Sequence, residues 1–137
     1  MITTLVTLLL AFLAGYAVGA VNPAAITARV FGIDLRATGS GNPGATNVTR
    51  ALGPRWGVLV GFLDILKGFL PAVVFGMFVG QTAGEIAGLA AVLGHITSPY
   101  LKGRGGKGVA TTLGAILGVQ PLLAIPVLIA FGIGVVL

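Results

Sequence analysis

Long apolar segments, interrupted by only two basic loops, constrain the fold of this chain more than any other feature. Hydrophobic residues make up 56% of the 137 residues, and charged residues make up only 8%. A water-soluble domain of this length needs many more charged side chains to cover its surface. The sequence therefore predicts an all-α protein, a polytopic bundle of transmembrane helices that forms a single domain over residues 1–137.

The lengths of the apolar runs predict about five helices. The first, residues 2 to about 21, can cross a hydrocarbon core of about 30 Å, and it lacks the basic start of a cleaved signal peptide. The others are expected at residues 56–80, 86–101, 109–119 and from 122 onward, with a polar break at 81–85 and a turn at Gln120-Pro121. Glycine pairs with G-x-x-x-G spacing predict close helix packing: Gly15/Gly19, Gly57/Gly61, Gly76/Gly80, Gly84/Gly88 and Gly114/Gly118.

The basic residues predict how the chain is oriented in the membrane. Of the 8 Lys and Arg residues, all but Lys67 lie in two loops, residues 22–55 and 102–108. The positive-inside rule places both loops in the cytoplasm and the N-terminus outside. So few basic residues do not form a nucleic-acid-binding surface. The absence of cysteine excludes a disulfide framework or a thiolate metal site.

The first loop contains the residue types of an anion-binding site. Residues 39–50 read Gly-Ser-Gly-Asn-Pro-Gly-Ala-Thr-Asn-Val-Thr-Arg. Glycines permit backbone conformations in which successive N–H groups converge on an anion. A helix that begins near Pro43 would add its positive dipole end at the same place. Thr46, Asn47 and Arg50 are spaced to share one face of that helix, so the loop is a candidate phosphate site.

The second loop repeats this pattern. It carries Arg104 and Lys107 between glycines and leads directly into the helix expected at Val109. Both loops fit G-x-G-x-x-G, but neither follows a predicted strand, and Leu101 and Gly108 break the Walker pattern. The residues leave two readings open: the loops bind phosphate, or they are flexible basic turns at the lipid headgroups.

Two charged residues and one histidine lie within the predicted spans. Asp64 and Lys67 are three residues apart, so one helix face can pair them, and such a pair is either structural or part of the site. His95 lies shortly before the second loop and either braces that loop or acts in catalysis. The chain has no second histidine and no acidic cluster, so we expect no metal site.

Four motifs in this order and spacing resemble the acyl-phosphate glycerol-3-phosphate acyltransferase (PlsY) family. They are Ser-Gly-Asn-Pro-Gly-Ala-Thr-Asn-Val-Thr-Arg at 40–50, Leu-Asp-Ile-Leu-Lys-Gly at 63–68, Gly-His at 94–95 and Gly-Gly-Lys-Gly-Val-Ala-Thr at 105–111. The resemblance implies a seven-helix enzyme of the bacterial inner membrane. Such an enzyme transfers an acyl group from acyl phosphate to the 1-hydroxyl of sn-glycerol 3-phosphate, giving lysophosphatidic acid and phosphate in phospholipid biosynthesis.

The resemblance also implies roles for individual residues. Ser40 and Arg50 are expected in the active site, with Lys107 as a second cation. Residues expected to bind substrate or phosphate are Gly41, Asn42, Gly44, Ala45, Thr46, Asn47, Gly105, Gly106 and Gly108. Asp64, Lys67 and His95 are assigned possible supporting roles. The expected partners are acyl phosphate, glycerol 3-phosphate and membrane lipids, without a cofactor.

An acyl phosphate is already activated, so the protein mainly positions two anions and stabilises developing charge. Tyr100 follows His95 by five residues, so the H-x-x-x-x-D signature of acyl-CoA-type acyltransferases is absent. We therefore hypothesise that a substrate phosphate takes the hydroxyl proton, while Ser40 orients a substrate.

The chain departs from the family pattern at its end. The family has a third motif, with a functional histidine and asparagine, that is missing before Leu137, within the expected fifth helix. The sequence is therefore expected to be a fragment, or a truncated product that is inactive or depends on another chain for activity. Two other functions stay open at this point: a small anion transporter or channel, and a non-catalytic membrane partner.

Overall fold

The computed structural model describes the backbone of residues 1–136 and the side chains of residues 1–129. Within this part, all the regular secondary structure is helical, which confirms the all-α prediction. The helices are α1 (Ile2–Ala20), α2 (Pro23–Val30), α3 (Ala45–Leu52), α4 (Pro54–Phe78), α5 (Gln81–Ile96), α6 (Val109–Val119) and α7 (Pro121–Val136), with a short 3₁₀ helix at Pro99–Leu101. The stretches Ile2–Val30 and Pro54–Phe78 are each long and apolar enough to cross a membrane.

The predicted polar break at residues 81–85 is wrong. The chain turns instead at Gly80, whose φ of 132° favours glycine, and α5 begins at Gln81. Polar side chains at a helix start do not interrupt the helix when they pair along it, as Gln81 Nε2 does by donating to Glu85 Oε1 at 3.1 Å. The same helix ends at Ile96, five residues early, because Pro99 forces Ser98 into an extended conformation with ψ of 119°.

Two short helices, α2 and α3, lie within the first loop, and only α3 was expected from the sequence. Asn22 caps α2: its Oδ1 accepts a hydrogen bond from Ala25 N at 2.8 Å, and Pro23 occupies the first helical position. Asn22 also donates from Nδ2 to Pro43 O at 3.2 Å, which ties the start of α2 to the entrance of α3. The helix expected from about Pro43 begins two residues later, at Ala45.

Small residues allow the long helices to pack backbone to backbone. Gly15 of α1 lies against Ala87 of α5, and Gly19 lies against Ala91, so closely that an added Cβ would overlap a carbonyl oxygen. Because these contacts advance in the same direction along both helices, α1 and α5 run parallel. The prediction for Gly15/Gly19 is confirmed, whereas Gly80 lies in a turn with no atom within 4 Å of an added Cβ.

Helices α4 and α6 are also parallel, because Gly114 packs on Ile65 and Gly118 packs on Ala72. The parallel pairs are α1 with α5 and α4 with α6. The first loop follows α1 and the second follows α5, so both loops lie at the same end of the bundle. The turns at Gly80 and Gln120 lie at the opposite end. This arrangement agrees with the alternation predicted from the basic residues.

Candidate functional site

The first loop is organised around the buried side chain of Asn47, which is 1% exposed. Asn47 donates from Nδ2 to Leu35 O at 2.9 Å and accepts at Oδ1 from Ser40 N at 3.3 Å. Both ends of this amide are therefore engaged within the loop. Asn47 places the turn that precedes α3 and does not present its side chain to a ligand.

The second loop lies directly on the end of α5. Gly105 N donates to Ile96 O at 2.8 Å, and Gly106 N donates to His95 O at 3.2 Å. A Cβ on Gly105 would overlap His95 O, and a Cβ on Gly106 would overlap His95 Nε2. These glycines are thus needed for close approach, and their N–H groups satisfy carbonyls that a helix end leaves free.

A cavity of about 430 Å³ lies between the two loops. Its polar end is formed by the starts of two helices, Gly44, Ala45 and Thr46 at α3 and Gly108, Val109 and Ala110 at α6. Helix starts present free N–H groups and a positive dipole end, which together favour an anion. Two of them facing one cavity form a stronger anion site than either loop alone.

Charged side chains complete this polar end. Lys107 is the lining residue with a permanent positive charge among the described residues, and Asn42 adds an amide. Asp64 and His95 lie in the wall and are each 3% exposed. Asp64 Oδ1 lies 3.4 Å from His95 Nδ1 and 3.1 Å from Lys67 Nζ.

Lys67 itself is turned away from the cavity. Its Nζ donates to Val21 O at 2.6 Å, just beyond α1. The pairing of Asp64 with Lys67 that the i, i+3 spacing predicts is thus present. Its link to His95 on another helix was not predicted. This buried cluster of Asp64, Lys67 and His95 connects the end of α1 to the wall of the cavity.

The other end of the cavity is apolar and was not predicted from the sequence. Helices α4, α6 and α7 line it with Gly61, Ile65, Leu113, Val127 and Leu128. The cavity therefore has one end suited to an anionic group and one suited to a hydrocarbon chain. This combination fits an amphiphile with a phosphorylated head.

The structure brings only some of the predicted site residues to this cavity. Lining residues are Asn42, Gly44, Ala45, Thr46, Asp64, His95, Lys107 and Gly108; Ser40, Gly41, Asn47, Arg50, Lys67, Gly105 and Gly106 are outside the lining. Ser40 and Arg50 are exposed on the first loop. The Arg50 side chain passes beside Gly39, 3.5 Å from the position of an added Cβ.

Arg36 was also missed as a site residue. Its guanidinium donates from Nη1 to Gly41 O at 3.1 Å and from Nη2 to Arg104 O. Both partners are backbone carbonyls, and the second is 68 residues away. No local sequence pattern indicates such a contact.

The fold defines an integral membrane protein of the helical class, whose cavity has one end suited to an anionic group and one apolar end. A sequence model described as glycerol-3-phosphate acyltransferase matches residues 9–137. The chain belongs to this glycerol-3-phosphate acyltransferase family.

Curated relatives and solved structures agree with this assignment. The chain is 48% identical over 112 residues to a glycerol-3-phosphate acyltransferase of Aquifex aeolicus, covering 80% of this chain and 58% of the relative. It is 49% identical over 121 residues to glycerol-3-phosphate acyltransferase 1 of Deinococcus radiodurans, covering 87% of this chain and 61% of the relative. The chain thus spans about three fifths of the length of these relatives.

The fold is similar to crystal structures of PlsY (YgiH), an integral membrane glycerol 3-phosphate acyltransferase. Its glycerol 3-phosphate form gives a TM-score of 0.86 at 45% identity, covering 92% of this chain and 64% of that one. Its lysophosphatidic acid form gives a TM-score of 0.79 at 44% identity, covering 86% of this chain and 59% of that one.

Proposed function

We propose that this chain carries the phosphate-binding part of an enzyme that transfers an acyl group from acyl phosphate to the 1-hydroxyl of sn-glycerol 3-phosphate. The cavity is the observation that carries this proposal. Its polar end combines two helix starts with Lys107, and its apolar end accommodates a hydrocarbon chain. Glycerol 3-phosphate and the acyl phosphate head share the polar end, while the acyl chain lies along α4, α6 and α7.

The proposed reaction needs no cofactor. The 1-hydroxyl oxygen attacks the acyl carbonyl carbon, the bond from that carbon to the phosphate oxygen breaks, and inorganic phosphate leaves with the electron pair. A substrate phosphate takes the hydroxyl proton. The protein then contributes mainly by positioning two anions and by stabilising charge with fixed N–H groups and cations.

An acyl phosphate donor suits this site because its leaving group is itself an anion that the loops can hold. His95 is assigned a bracing role, since its carbonyl accepts from Gly106 N and its Nδ1 faces Asp64. Ser40 and Arg50 remain proposed active-site residues by resemblance. Replacing Ser40 with Ala is expected to lower turnover strongly, and near-normal turnover would remove Ser40 from the mechanism.

Lys107 provides the direct test of the site. The chain is reconstituted in lipid nanodiscs, and glycerol 3-phosphate affinity is measured for wild type, Lys107→Ala and Lys102→Ala. A charge-assisted hydrogen bond contributes about 1.5–3 kcal/mol, so Lys107→Ala should weaken binding about 10- to 100-fold. Lys102 is exposed and outside the cavity lining, so its variant serves as the control.

Turnover is measured separately, as lysophosphatidic acid and phosphate formed from acyl phosphate and glycerol 3-phosphate. Because the chain spans about three fifths of its relatives, the assay is run with the chain alone and with the unmatched portion of the Aquifex aeolicus relative co-expressed. Product formation that depends on Lys107 supports the proposal. Phosphate flux across proteoliposomes without acyl transfer, in either preparation, would contradict it and favour a channel.

A further inference from the structure

One side chain joins the two loops that border the cavity. Arg36 lies in the first loop, between α2 and α3, and its guanidinium reaches Gly41 O on one side and Arg104 O on the other. Among the hydrogen bonds of residues 1–129, this is the one that connects the first loop to the second. Each loop is also held by its own helices, but Arg36 supplies the direct hydrogen-bonded link between the two loops in this part of the chain.

Several hydrogen bonds fix the backbone around Arg36, so its side chain extends from a defined position. Arg36 N donates to Asp34 Oδ1 at 2.8 Å, and Thr38 Oγ1 donates to Asp34 O at 2.7 Å. Gly41 N donates to Thr38 O at 3.0 Å, which closes the turn. Gly41 has a φ of 67°, and an added Cβ would lie 3.1 Å from Arg36 O, so the acceptor carbonyl is also fixed.

The choice of arginine follows from the geometry of its partners. A guanidinium is a planar fork that donates to two acceptors at a fixed angle, whereas a lysine ammonium is a compact point charge. Both acceptors are neutral carbonyls, and Arg36 forms no ion pair with a carboxylate of residues 1–129. Its charge adds to those of Arg104 and Lys107 near the polar end, without Arg36 lining the cavity.

We propose that Arg36 is a positioning residue that sets the distance between the two anion-binding helix starts. It acts on the ligand through the loops: Gly41 leads toward α3, and Arg104 leads toward Lys107 and α6. The inference rests on the proposed function in one respect, namely that both loops serve the same phosphorylated substrates. The mechanical part, that Arg36 holds the loops together, stands without it.

The mechanical part is tested by measuring the loop separation directly. Because the chain has no cysteine, spin labels can be placed at Ala37→Cys in the first loop and Lys102→Cys in the second, both exposed positions. The distance distribution between the labels is recorded by pulsed dipolar spectroscopy in nanodiscs. Arg36→Gln and Arg36→Lys should both broaden the distribution relative to wild type. Arg29→Gln, an exposed arginine on α2, is the matched control and should leave it narrow.

The functional part is tested with glycerol 3-phosphate as the probe. Loss of the guanidinium that bonds both carbonyls should weaken its binding about tenfold in both Arg36 variants and leave Arg29→Gln unchanged. A saturating concentration should narrow the distribution again, because a ligand that contacts both loops replaces the missing link. A residue that only stabilised the fold would not give this recovery.

The outcomes separate the two ideas. A distribution that stays narrow in Arg36→Gln overturns the proposal, and so does a broadened distribution with unchanged affinity. If the wild type itself fails to bind glycerol 3-phosphate while Arg36→Gln broadens the distribution, the proposed function fails and the loop link is retained. Should Arg36→Gln not fold, Arg36→Lys keeps the charge and decides the question by the same two measurements.

Discussion

Gly105 and Gly106 show that a glycine in a basic loop can be needed for close packing against a neighbouring helix rather than for its backbone flexibility. Neither residue has a positive φ, so other residues could adopt their backbone conformations. What excludes a side chain is the end of α5, whose carbonyls at His95 and Ile96 accept their N–H groups. The loop and the helix end thereby satisfy each other's free backbone groups.

Gly106→Ala is expected to displace the second loop, because the new methyl group would occupy the place of His95 Nε2. Overpacking of this kind typically costs about 1–3 kcal/mol. We expect a lower midpoint of thermal unfolding in detergent and weaker glycerol 3-phosphate binding. The control is Gly76→Ala in α4, where the nearest atom to an added Cβ is 3.9 Å away. Equal stability of the two variants would contradict the role assigned to Gly106.

Individual site residues could be predicted from the sequence only where the signal is local. Thr46, Lys107 and Gly108 line the cavity, as expected for helix starts that follow glycine-rich basic loops. The engagement of Asn47 with Leu35 O and the contact of Arg36 with Arg104 O were not predictable. Each depends on a backbone carbonyl whose position is fixed by the tertiary fold, and carbonyls are the same at every residue.

At the scale of the helices, the buried cluster of Asp64, Lys67 and His95 links three elements. Lys67 bonds to Val21 O beyond α1, Asp64 lies between, and His95 connects to the second loop. Charges inside an apolar bundle persist only when they are paired. The pair therefore stabilises the place where α1, α4 and α5 meet.

Asp64→Asn should destabilise the protein strongly, because it leaves the Lys67 ammonium buried without a counter-charge. Breaking a buried pair in this way typically costs about 3–5 kcal/mol. The double variant Asp64→Asn/Lys67→Met removes both charges and should recover most of the thermal stability. Glu85→Gln, at an exposed carboxylate on the same bundle, is the control. A double variant as unstable as the single one would show that pairing is not the main role of Asp64.

Helix positions were predictable where apolar runs are long and breaks are marked by glycine or proline. Helix α6 has the predicted bounds at Val109 and Val119, and α1 and α4 begin and end within two residues of expectation. The break at 81–85 failed because a membrane helix tolerates polar residues in its first turn. Helix α2 was missed because 8 residues with modest apolar content give a weak periodic signal.

For the whole molecule, the parallel course of α1 and α5 fixes which segments share an end of the bundle. With both loops in the cytoplasm, as the basic residues predict, the N-terminus and the turn at Gly80 face outward. The cysteine-free chain makes this testable with single cysteines at Lys102 and Gln81. A membrane-impermeant maleimide should label Gln81→Cys in intact cells and Lys102→Cys only after permeabilisation. The reverse pattern would invert the topology.

The brevity of α6 has a consequence for how strongly the site holds an anion. Its 11 residues span only about 16 Å, whereas a hydrocarbon core is about 30 Å thick. Gly114 of α6 packs beside Ile65 of α4 and Gly118 packs beside Ala72, so α6 begins about two helical turns further into the bundle than the start of α4 at Pro54. Gly106 and Gly108 at that start are buried, and the lower dielectric constant around buried groups makes each Coulomb attraction larger there than at an exposed loop. A few fixed dipoles and one lysine can therefore hold an anion at this place as strongly as a larger cluster of cations would in bulk solvent.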